Sequence, residues 1–248
     1  MIESLLLSTT RISTFDNNIL LTNATGFFFK NAGRLFLVTS RHVVIDEAND
    51  HHPNRLEIEI HTDRGNLAQS TGFSILLYEN GRSVWRDAAD TAGSIDVAAV
   101  ELDQRALPEG AHFHAFDVEQ LLKPEAHIEI GADALVVGFP LGFHDTLHHL
   151  PVVRHAIVAS TIGLRFQGNG YFLTDARTHR GSSGSPVVAR IAGDRPSGDE
   201  TGWILLGIHS SRLDIGTRDM QIDEALGLNC TWYADILLTL TPPAGHGG

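Results

Sequence analysis

The stretch GFFFKNAGRLFLVT, residues 26–39, decides the fold class of this chain. Two runs of aromatic and branched apolar residues, 26–30 and 35–39, flank a turn made of Asn-Ala-Gly-Arg at 31–34. Such runs around a turn that contains Asn and Gly predict a β-hairpin. The stretch therefore indicates a protein built on short antiparallel strands.

Other segments of the chain repeat this pattern of short strands separated by turn residues. Segment 56–60, LEIEI, alternates apolar and charged residues, as a half-buried strand does. Further apolar runs lie at 134–138, 156–160, 171–174 and 203–208. Helical signals are limited to a short helix that begins at Asp117 and to the last segment, 233–240, which fits a helix or a strand. The pattern predicts an all-β sandwich or barrel.

Composition excludes several classes of partner and compartment. The formal net charge is −12 and no basic run exists, so a phosphate backbone would be repelled and no nucleic-acid partner is expected. The N-terminal apolar run is only three leucines long, which predicts neither a signal peptide nor a membrane helix. The single cysteine, Cys230, permits no internal disulfide. It is expected to be a small buried residue in a cytoplasmic protein.

The most distinctive chemical feature is GSSGSPVV, residues 181–188. A serine between glycines, on a tight turn that enters a strand, presents its hydroxyl to the surroundings. Glycines also leave room for a substrate carbonyl, and nearby backbone N–H groups can stabilise an oxyanion. A serine nucleophile needs a base and an acid that orients the base. Three hydroxyls compete for the role, those of Ser182, Ser183 and Ser185.

A base and an acid occur earlier in the chain. His42 follows directly after the strand at 35–39, and Asp96 stands immediately before the apolar run 97–100. Asp87 and Asp90 are rival carboxylates in a polar loop, and Asp96 is favoured because it directly precedes a strand. The resulting order is His, then Asp, then Ser, which differs from the order in subtilisins and α/β-hydrolases.

These segments of the chain resemble those of a known family. The segments around His42, Asp96 and Ser183 are similar to the T-A-x-H-V-V, D-[IL]-A-[VIL] and G-x-S-G-x-P motifs of trypsin-like serine proteases. VGFPLG at 137–142 and TDA at 174–176 resemble two further stretches of the bacterial branch. HtrA-type protease domains, without their PDZ domain, and glutamyl endopeptidases are the most similar groups. The resemblance extends over roughly residues 20 to 240 and selects Ser183 among the three hydroxyls.

The resemblance implies a chymotrypsin-like fold of two six-stranded antiparallel β-barrels with the site between them. The expected divisions are an N-terminal barrel at 1–105, a connector at 106–126, a C-terminal barrel at 127–240 and a disordered tail at 241–248. It also implies roles. His42 is the general base, Asp96 fixes its tautomer, and Ser183 forms the acyl-enzyme. The backbone N–H groups of Gly181 and Ser183 form the oxyanion hole.

Substrate preference is inferred from a second resemblance. Glutamyl endopeptidases carry Gly-Ile-His in the pocket strand and a Thr five residues before the nucleophile, and GIHS at 207–210 and Thr178 are similar. Thr178, His209 and Ser210 are therefore expected to bind the substrate side chain. Arg177, His179 and Arg180 add positive charge nearby. Cleavage after Glu or Asp is the corresponding hypothesis.

The sequence predicts neither a metal site nor a cofactor. The chain has 14 histidines, but the adjacent pairs at 51–52 and 148–149 point apart in an extended chain, and no His-Glu-x-x-His or paired-cysteine spacing exists. The predicted function is a serine endopeptidase that acts on protein or peptide substrates. The alternative is a protease-fold interaction module or effector, held inactive until a regulatory protein orders the oxyanion loop.

Overall fold

The computed structural model describes residues 3–123, 126–190, 202–210 and 227–243. Short strands dominate these ranges, and the three helices are short: α1 Ser4–Leu7, α2 Arg41–Val44 and α3 Ile236–Leu240. The strands in chain order are β1 Thr9–Asp16, β2 Ile19–Asn31, β3 Arg34–Thr39, β4 Arg55–His61, β5 Ser70–Leu76, β6 Tyr78–Glu79, β7 Arg82–Ser83, β8 Trp85–Arg86, β9 Ala89–Asp90, β10 Gly93–Ser94, β11 Ala98–Leu102, β12 Phe116–Asp117, β13 Asp133–Gly138, β14 Val152–Val158, β15 Tyr171–Asp175, β16 Pro186–Ala189, β17 Ile204–Ser210 and β18 Leu228–Tyr233.

The N-terminal half forms one large sheet with strand order β5-β4-β1-β2-β3-β11-β8, and β12 pairs in parallel with β2. The predicted hairpin is present, because β2 and β3 pair antiparallel with Lys30 opposite Leu35. The predicted strand at 56–60 is the centre of β4. The core of this half contains Phe28 and Leu37 from the hairpin.

The C-terminal half is a closed six-stranded barrel in the order β13-β14-β15-β18-β17-β16. Its interior is filled by side chains from all sides, including Val136, Phe172 and Leu206. The barrel and the N-terminal sheet confirm the predicted all-β, chymotrypsin-like fold class. Segment 233–240 ends in the short helix α3 rather than in a strand.

A third apolar cluster joins the two halves. Phe27 and Phe29 of β2 pack with Val137 and Trp232 of the barrel, whereas Phe28 faces the N-terminal core. Side chains alternate across a strand, so this one strand contributes to both cores. Each fully buried phenylalanine stabilises the fold by about 2 kcal/mol. This packing holds the two halves against each other.

Two details of the connections refine the sequence predictions. Asp117 caps a helical turn as predicted, accepting a hydrogen bond from the Glu119 N–H at 2.9 Å, but the turn is a 3₁₀ helix of three residues. The first residue of the predicted tail at 241–248 packs against the fold. Thr241 is buried, and its carbonyl accepts a hydrogen bond from the Asn31 side chain at 2.7 Å. Residues 244–248 lie outside the described ranges.

Candidate active site

Strand pairing brings His42 and Asp96 together. Strands β3 and β11 are antiparallel neighbours, with Thr39 opposite Ala98. Helix α2, which carries His42, begins two residues after β3 ends, and Asp96 stands two residues before β11 begins. The end of one strand and the start of its antiparallel neighbour lie at the same edge of the sheet. The two residues are therefore adjacent although 54 positions separate them.

Asp96 is held by three hydrogen bonds. Its Oδ2 is 2.8 Å from His42 Nδ1 and accepts a hydrogen bond from Ser210 Oγ at 2.7 Å, while Oδ1 accepts the His42 backbone N–H at 2.9 Å. Burial by itself raises the pKa of Asp96, but the charge of His42 and these hydrogen bonds outweigh it, so the pKa is lowered. An ionised carboxylate only accepts, so the Nδ1 of His42 donates. In the neutral ring, Nε2 is then left as the acceptor.

The rival carboxylates in the preceding loop have other partners. Asp87 accepts a hydrogen bond from Arg41 Nε at 2.9 Å, and Asp90 forms an ion pair with Arg165. Arg41 also binds Glu47 at 2.9 Å, and this hydrogen bond lowers the pKa of Glu47 to about 2. Arg41, the residue before His42, thus connects helix α2 to the segments that carry Asp87 and Glu47. Of Asp87, Asp90 and Asp96, the carboxylate hydrogen-bonded to the His42 ring is that of Asp96.

The serine turn needs glycine on both sides of the central serines. Gly181 and Gly184 have φ angles of +91° and +84°, which L-residues rarely adopt. A Cβ on Gly184 would lie 2.2 Å from the Thr25 carbonyl oxygen, and one on Gly181 would lie 2.5 Å from the Phe139 carbonyl oxygen. The Gly-Ser-Ser-Gly string is therefore required by close backbone packing as well as by the turn.

Thr25 is a residue of the site that sequence reasoning missed. Its N–H donates to the Ser183 carbonyl at 3.0 Å, and its hydroxyl donates to the Gly181 carbonyl at 2.7 Å. The same hydroxyl accepts the Phe139 N–H at 3.1 Å. Thr25 thereby fixes the backbone on both sides of Ser182. Its position just before the hairpin segment was the one available signal, and it belongs to none of the recognised motifs.

The serine turn lies beside the His42–Asp96 pair. Gly184 packs against Thr39, three residues before His42, and its N–H donates to the His209 carbonyl at 2.9 Å. The next residue of β17, Ser210, holds Asp96. Gly184, the residue after Ser183, therefore contacts both the segment that leads to His42 and the strand that supports Asp96.

The three residues predicted to bind substrate have different surroundings. Ser210 donates its hydroxyl hydrogen bond to Asp96 Oδ2 at 2.7 Å. Thr178 donates its hydroxyl to Asn229 Oδ1 at 2.6 Å. His209 is fully buried, and both of its ring nitrogens lack a hydrogen-bond partner in the described part of the chain. Burial first, and then the charge of His42, lower the pKa of His209 to about 4.

The buried imidazole of His209 makes the stability of the fold depend on pH. Since its pKa is about 4 in the folded state and 6.5 ordinarily, the unfolded chain binds a proton in this range that the folded protein does not. Stability should therefore fall as the pH drops from about 6.5 to about 4, by about 3 kcal/mol in total. His209→Phe should remove this part of the loss. Urea unfolding of both proteins at pH 7 and at pH 4.5 measures it, and equal losses would contradict the assignment.

Metal-ligating side chains also occur across the described residues. Across residues 3–123, 126–190, 202–210 and 227–243, no three His, Cys, Asp or Glu side chains are grouped closely enough to hold a metal ion. The paired histidines make local contacts, such as His148 Nδ1 with Asp145 Oδ2 at 2.7 Å. Cys230 is buried, as predicted. Within these ranges no helix has the length and apolar composition needed to cross a bilayer.

Comparison with known proteins shows the family of the chain. The family model of the trypsin-like peptidase domain matches residues 24–194, which include His42, Asp96 and Ser183. The chain belongs to the trypsin-like peptidase family. No curated protein sequence matches it significantly.

Solved structures of bacterial proteases share the fold of this trypsin-like peptidase. A serine endoprotease from Yersinia pestis superposes with a TM-score of 0.51 at 16% identity, over 94% of this chain and 61% of that chain. The active form of the Rv3671c protease from M. tuberculosis gives 0.51 at 16% identity, over 99% and 85%. The peptidase thus spans less than two thirds of the Yersinia protein. At this identity the likeness speaks to the fold alone.

Proposed function

We propose that this trypsin-like peptidase is an endopeptidase that hydrolyses peptide bonds through an acyl-enzyme, with His42, Asp96 and Ser183 as its catalytic residues. The observation that carries the proposal is the His42 Nδ1–Asp96 Oδ2 hydrogen bond of 2.8 Å beside the glycine-flanked serine turn. An oriented imidazole next to a serine on such a turn is the arrangement that acyl transfer requires. Protein or peptide substrates are the corresponding partners, and no cofactor takes part in the proposed reaction.

The proposed steps conserve every proton. Ser183 Oγ attacks the substrate carbonyl carbon and passes its proton to His42 Nε2, and Asp96 stabilises the imidazolium. The N–H groups of Gly181 and Ser183 receive the oxyanion. His42 then protonates the leaving amine, which breaks the C–N bond and leaves the acyl group on Ser183. Water attacks this ester by the same route and restores the serine hydroxyl.

We also propose which residues contact the substrate side chain. His209 and Thr178 are the polar groups that we assign to the pocket, and Ser210 is reassigned to the support of Asp96. A preference for Glu or Asp before the scissile bond remains the sequence-based prediction. Its support is a buried imidazole without a hydrogen-bond partner in the described residues, because such a group gains from any ligand that binds its N–H.

Two broader features complete the proposal. The proposed units are barrels at 1–105 and 127–240, joined by a connector at 106–126, with His42 and Asp96 in the first unit and Ser183 in the second. A cytoplasmic location is inferred from the single cysteine, since a chain without disulfides suits a reducing compartment.

The decisive experiment uses a fluorophosphonate, which reacts with activated serines. Wild-type protein is expected to gain one covalent adduct, located on Ser183 by peptide mass spectrometry, because the adjacent imidazole activates that hydroxyl. Ser183→Ala should give no adduct. An adduct on Ser182 or Ser185 would assign the nucleophile differently.

One observation favours the second candidate, an effector that a regulatory protein activates. His209 is fully buried, so the proposed pocket is closed to a substrate side chain in this conformation. If folded wild-type protein takes up no fluorophosphonate and cleaves no peptide from a proteome-derived library, this candidate replaces the first.

A further inference from the structure

The Thr25 hydroxyl is committed to two backbone groups of the C-terminal half. Its oxygen accepts the Phe139 N–H at 3.1 Å, and its single proton is donated to the Gly181 carbonyl oxygen at 2.7 Å. Thr25 is fully buried, so water does not reach either hydrogen bond. A valine at this position would have nearly the same shape and could form neither bond.

These two hydrogen bonds join two segments that also contact each other directly. Phe139 and Leu141 belong to one turn, and the Leu141 N–H donates to the Arg180 carbonyl at 2.6 Å. Gly181 is the next residue after Arg180. By holding Phe139 on one side and Gly181 on the other, Thr25 fixes the two segments between which this third hydrogen bond forms.

The hydrogen bond between Leu141 and Arg180 sets the direction of the Gly181 N–H. The C=O and N–H of a trans peptide point to opposite sides, so an Arg180 carbonyl held by Leu141 keeps the Gly181 N–H on the other side. Leu141 has a φ of +55°, which non-glycine residues keep only where their surroundings hold them. Gly181 has a φ of +91°, and glycine changes between conformations at little cost. The peptide that joins residues 180 and 181 therefore depends on support from outside its own segment.

Thr25 can give this support because its own backbone is anchored in the N-terminal half. It lies in β2 and pairs with Arg11 of β1. Its carbonyl oxygen accepts the Thr39 hydroxyl at 2.7 Å, and its N–H donates to the Ser183 carbonyl at 3.0 Å. A strand of the N-terminal half thus holds the serine turn of the C-terminal half.

We propose that Thr25 is a positioning residue for the oxyanion hole of this peptidase, and that its hydroxyl keeps the Gly181 N–H directed at the substrate oxyanion. The inference rests on the proposed function, because it takes the N–H groups of Gly181 and Ser183 as the oxyanion donors. Thr25 acts through the backbone of residues 139–141 and 180–181 rather than by touching the reacting atoms. A positioned donor stabilises the transition state more than the bound substrate, so Thr25 should affect kcat rather than KM.

Thr25→Val is the direct test of this role. It should lower kcat for peptide hydrolysis by about tenfold to a hundredfold, which is less than the cost of removing an oxyanion donor outright. The KM should stay within about threefold of the wild type, because the lost interaction acts in the transition state. A folded Thr25→Val protein with wild-type kcat, or one in which only KM rises, would overturn the inference.

The rate of the fluorophosphonate reaction gives a second measure that needs no known substrate. Ser183 Oγ attacks the phosphorus, His42 takes the serine proton and fluoride leaves, while negative charge develops on the phosphoryl oxygen in the oxyanion hole. The second-order rate constant for adduct formation should therefore fall by at least about tenfold in Thr25→Val. An unchanged rate constant would contradict the proposal.

Two smaller substitutions at the same position separate the hydroxyl from the methyl group. Thr25→Ser keeps the hydroxyl, and its kcat and fluorophosphonate rate should stay within about threefold of the wild type. Thr25→Ala lacks the hydroxyl and should behave like Thr25→Val. Because these two variants differ by one oxygen atom, they make the same test if Thr25→Val does not fold. Equal activity of the serine and alanine variants would reject a role for the hydroxyl.

Thr14→Val is the matched control for a loss of stability. Thr14 is also fully buried, and its hydroxyl accepts the Thr22 N–H at 3.1 Å and donates to the Thr22 carbonyl at 3.4 Å. These contacts lie three residue pairs along the β1–β2 ladder from Thr25. Both valine variants should lower the Tm, since each leaves a buried N–H and a buried carbonyl without the hydroxyl, but Thr14→Val should keep the wild-type kcat. Comparable losses of kcat in the two variants would show a general structural effect and reject the inference.

Failure of the proposed function would give a different result. A wild type that takes up no fluorophosphonate would reject the proposed function, and this inference with it. A wild type that reacts, together with a Thr25→Val protein that reacts equally fast, would reject the inference alone.

Discussion

Ser183→Ala is expected to lower kcat for peptide hydrolysis by about a millionfold, to the rate that binding and oxyanion contacts alone provide. The substitution removes the only atom that forms the acyl bond in the proposed mechanism. The fold should be unaffected, because Ser183 makes its contact with Thr25 through the backbone carbonyl, which alanine retains. Steady-state hydrolysis of a library-derived peptide, together with thermal unfolding, measures both quantities.

Ser182→Ala is the matched control for this experiment. Ser182 is the neighbouring residue of the same turn and is also buried. The hydrogen bond from its backbone N–H to the His179 carbonyl, at 3.0 Å, survives the change. Its kcat should stay within a few-fold of the wild type. A Ser183→Ala protein that retains a tenth of the activity, or a Ser182→Ala protein that loses nearly all of it, would place the nucleophile elsewhere.

Asp96→Asn should lower kcat by about ten-thousandfold. In the wild type, Oδ2 accepts hydrogen bonds from His42 Nδ1 and Ser210, and Oδ1 accepts the His42 N–H. Asparagine would keep Oδ1 on that backbone N–H and present its NH₂ group to Nδ1. The proton of the ring then moves to Nε2, and His42 can no longer accept the proton of Ser183.

The control for Asp96→Asn is the same change at a carboxylate with a different partner. Asp87 pairs with Arg41 near the surface, and such exposed pairs contribute about 0–1 kcal/mol to stability. Asp87→Asn should therefore change kcat by less than about threefold. Comparable activity losses in the two variants, measured with the same peptide at pH 8, would show that Asp96 has no special role.

Much of the fold was predictable because its signals are local. The apolar runs around the turn at 31–34 predicted the β2–β3 hairpin, and the alternation at 56–60 predicted β4. Hydrophobic periodicity reports which faces of a strand are buried before any partner is known. Closure of the C-terminal barrel was inferred only through the family resemblance, since pairing between distant strands leaves no local pattern.

The candidate site was predictable as far as its motifs extend. The order of the His, Asp and Ser motifs identified His42 and Asp96, which the fold brings into hydrogen-bond contact, and Ser183, on a turn that contacts the neighbouring segments. The hydrogen-bond partners of these residues were harder to predict from the sequence. The hydrogen bond from Ser210 to Asp96 was not predicted, and Thr25 was not recognised at all. Both act through contacts that span more than a hundred positions of the chain.

By itself, the amino-acid sequence determined the strand content, the family and the three residues proposed for catalysis, because each depends on a short run of neighbouring residues. The tertiary structure decided the direction of the hydrogen bonds. Thr178 donates to Asn229, 51 residues away, and this bond determines the direction of the hydroxyl proton. A hydroxyl has one proton, and only the packed partner decides where that proton points.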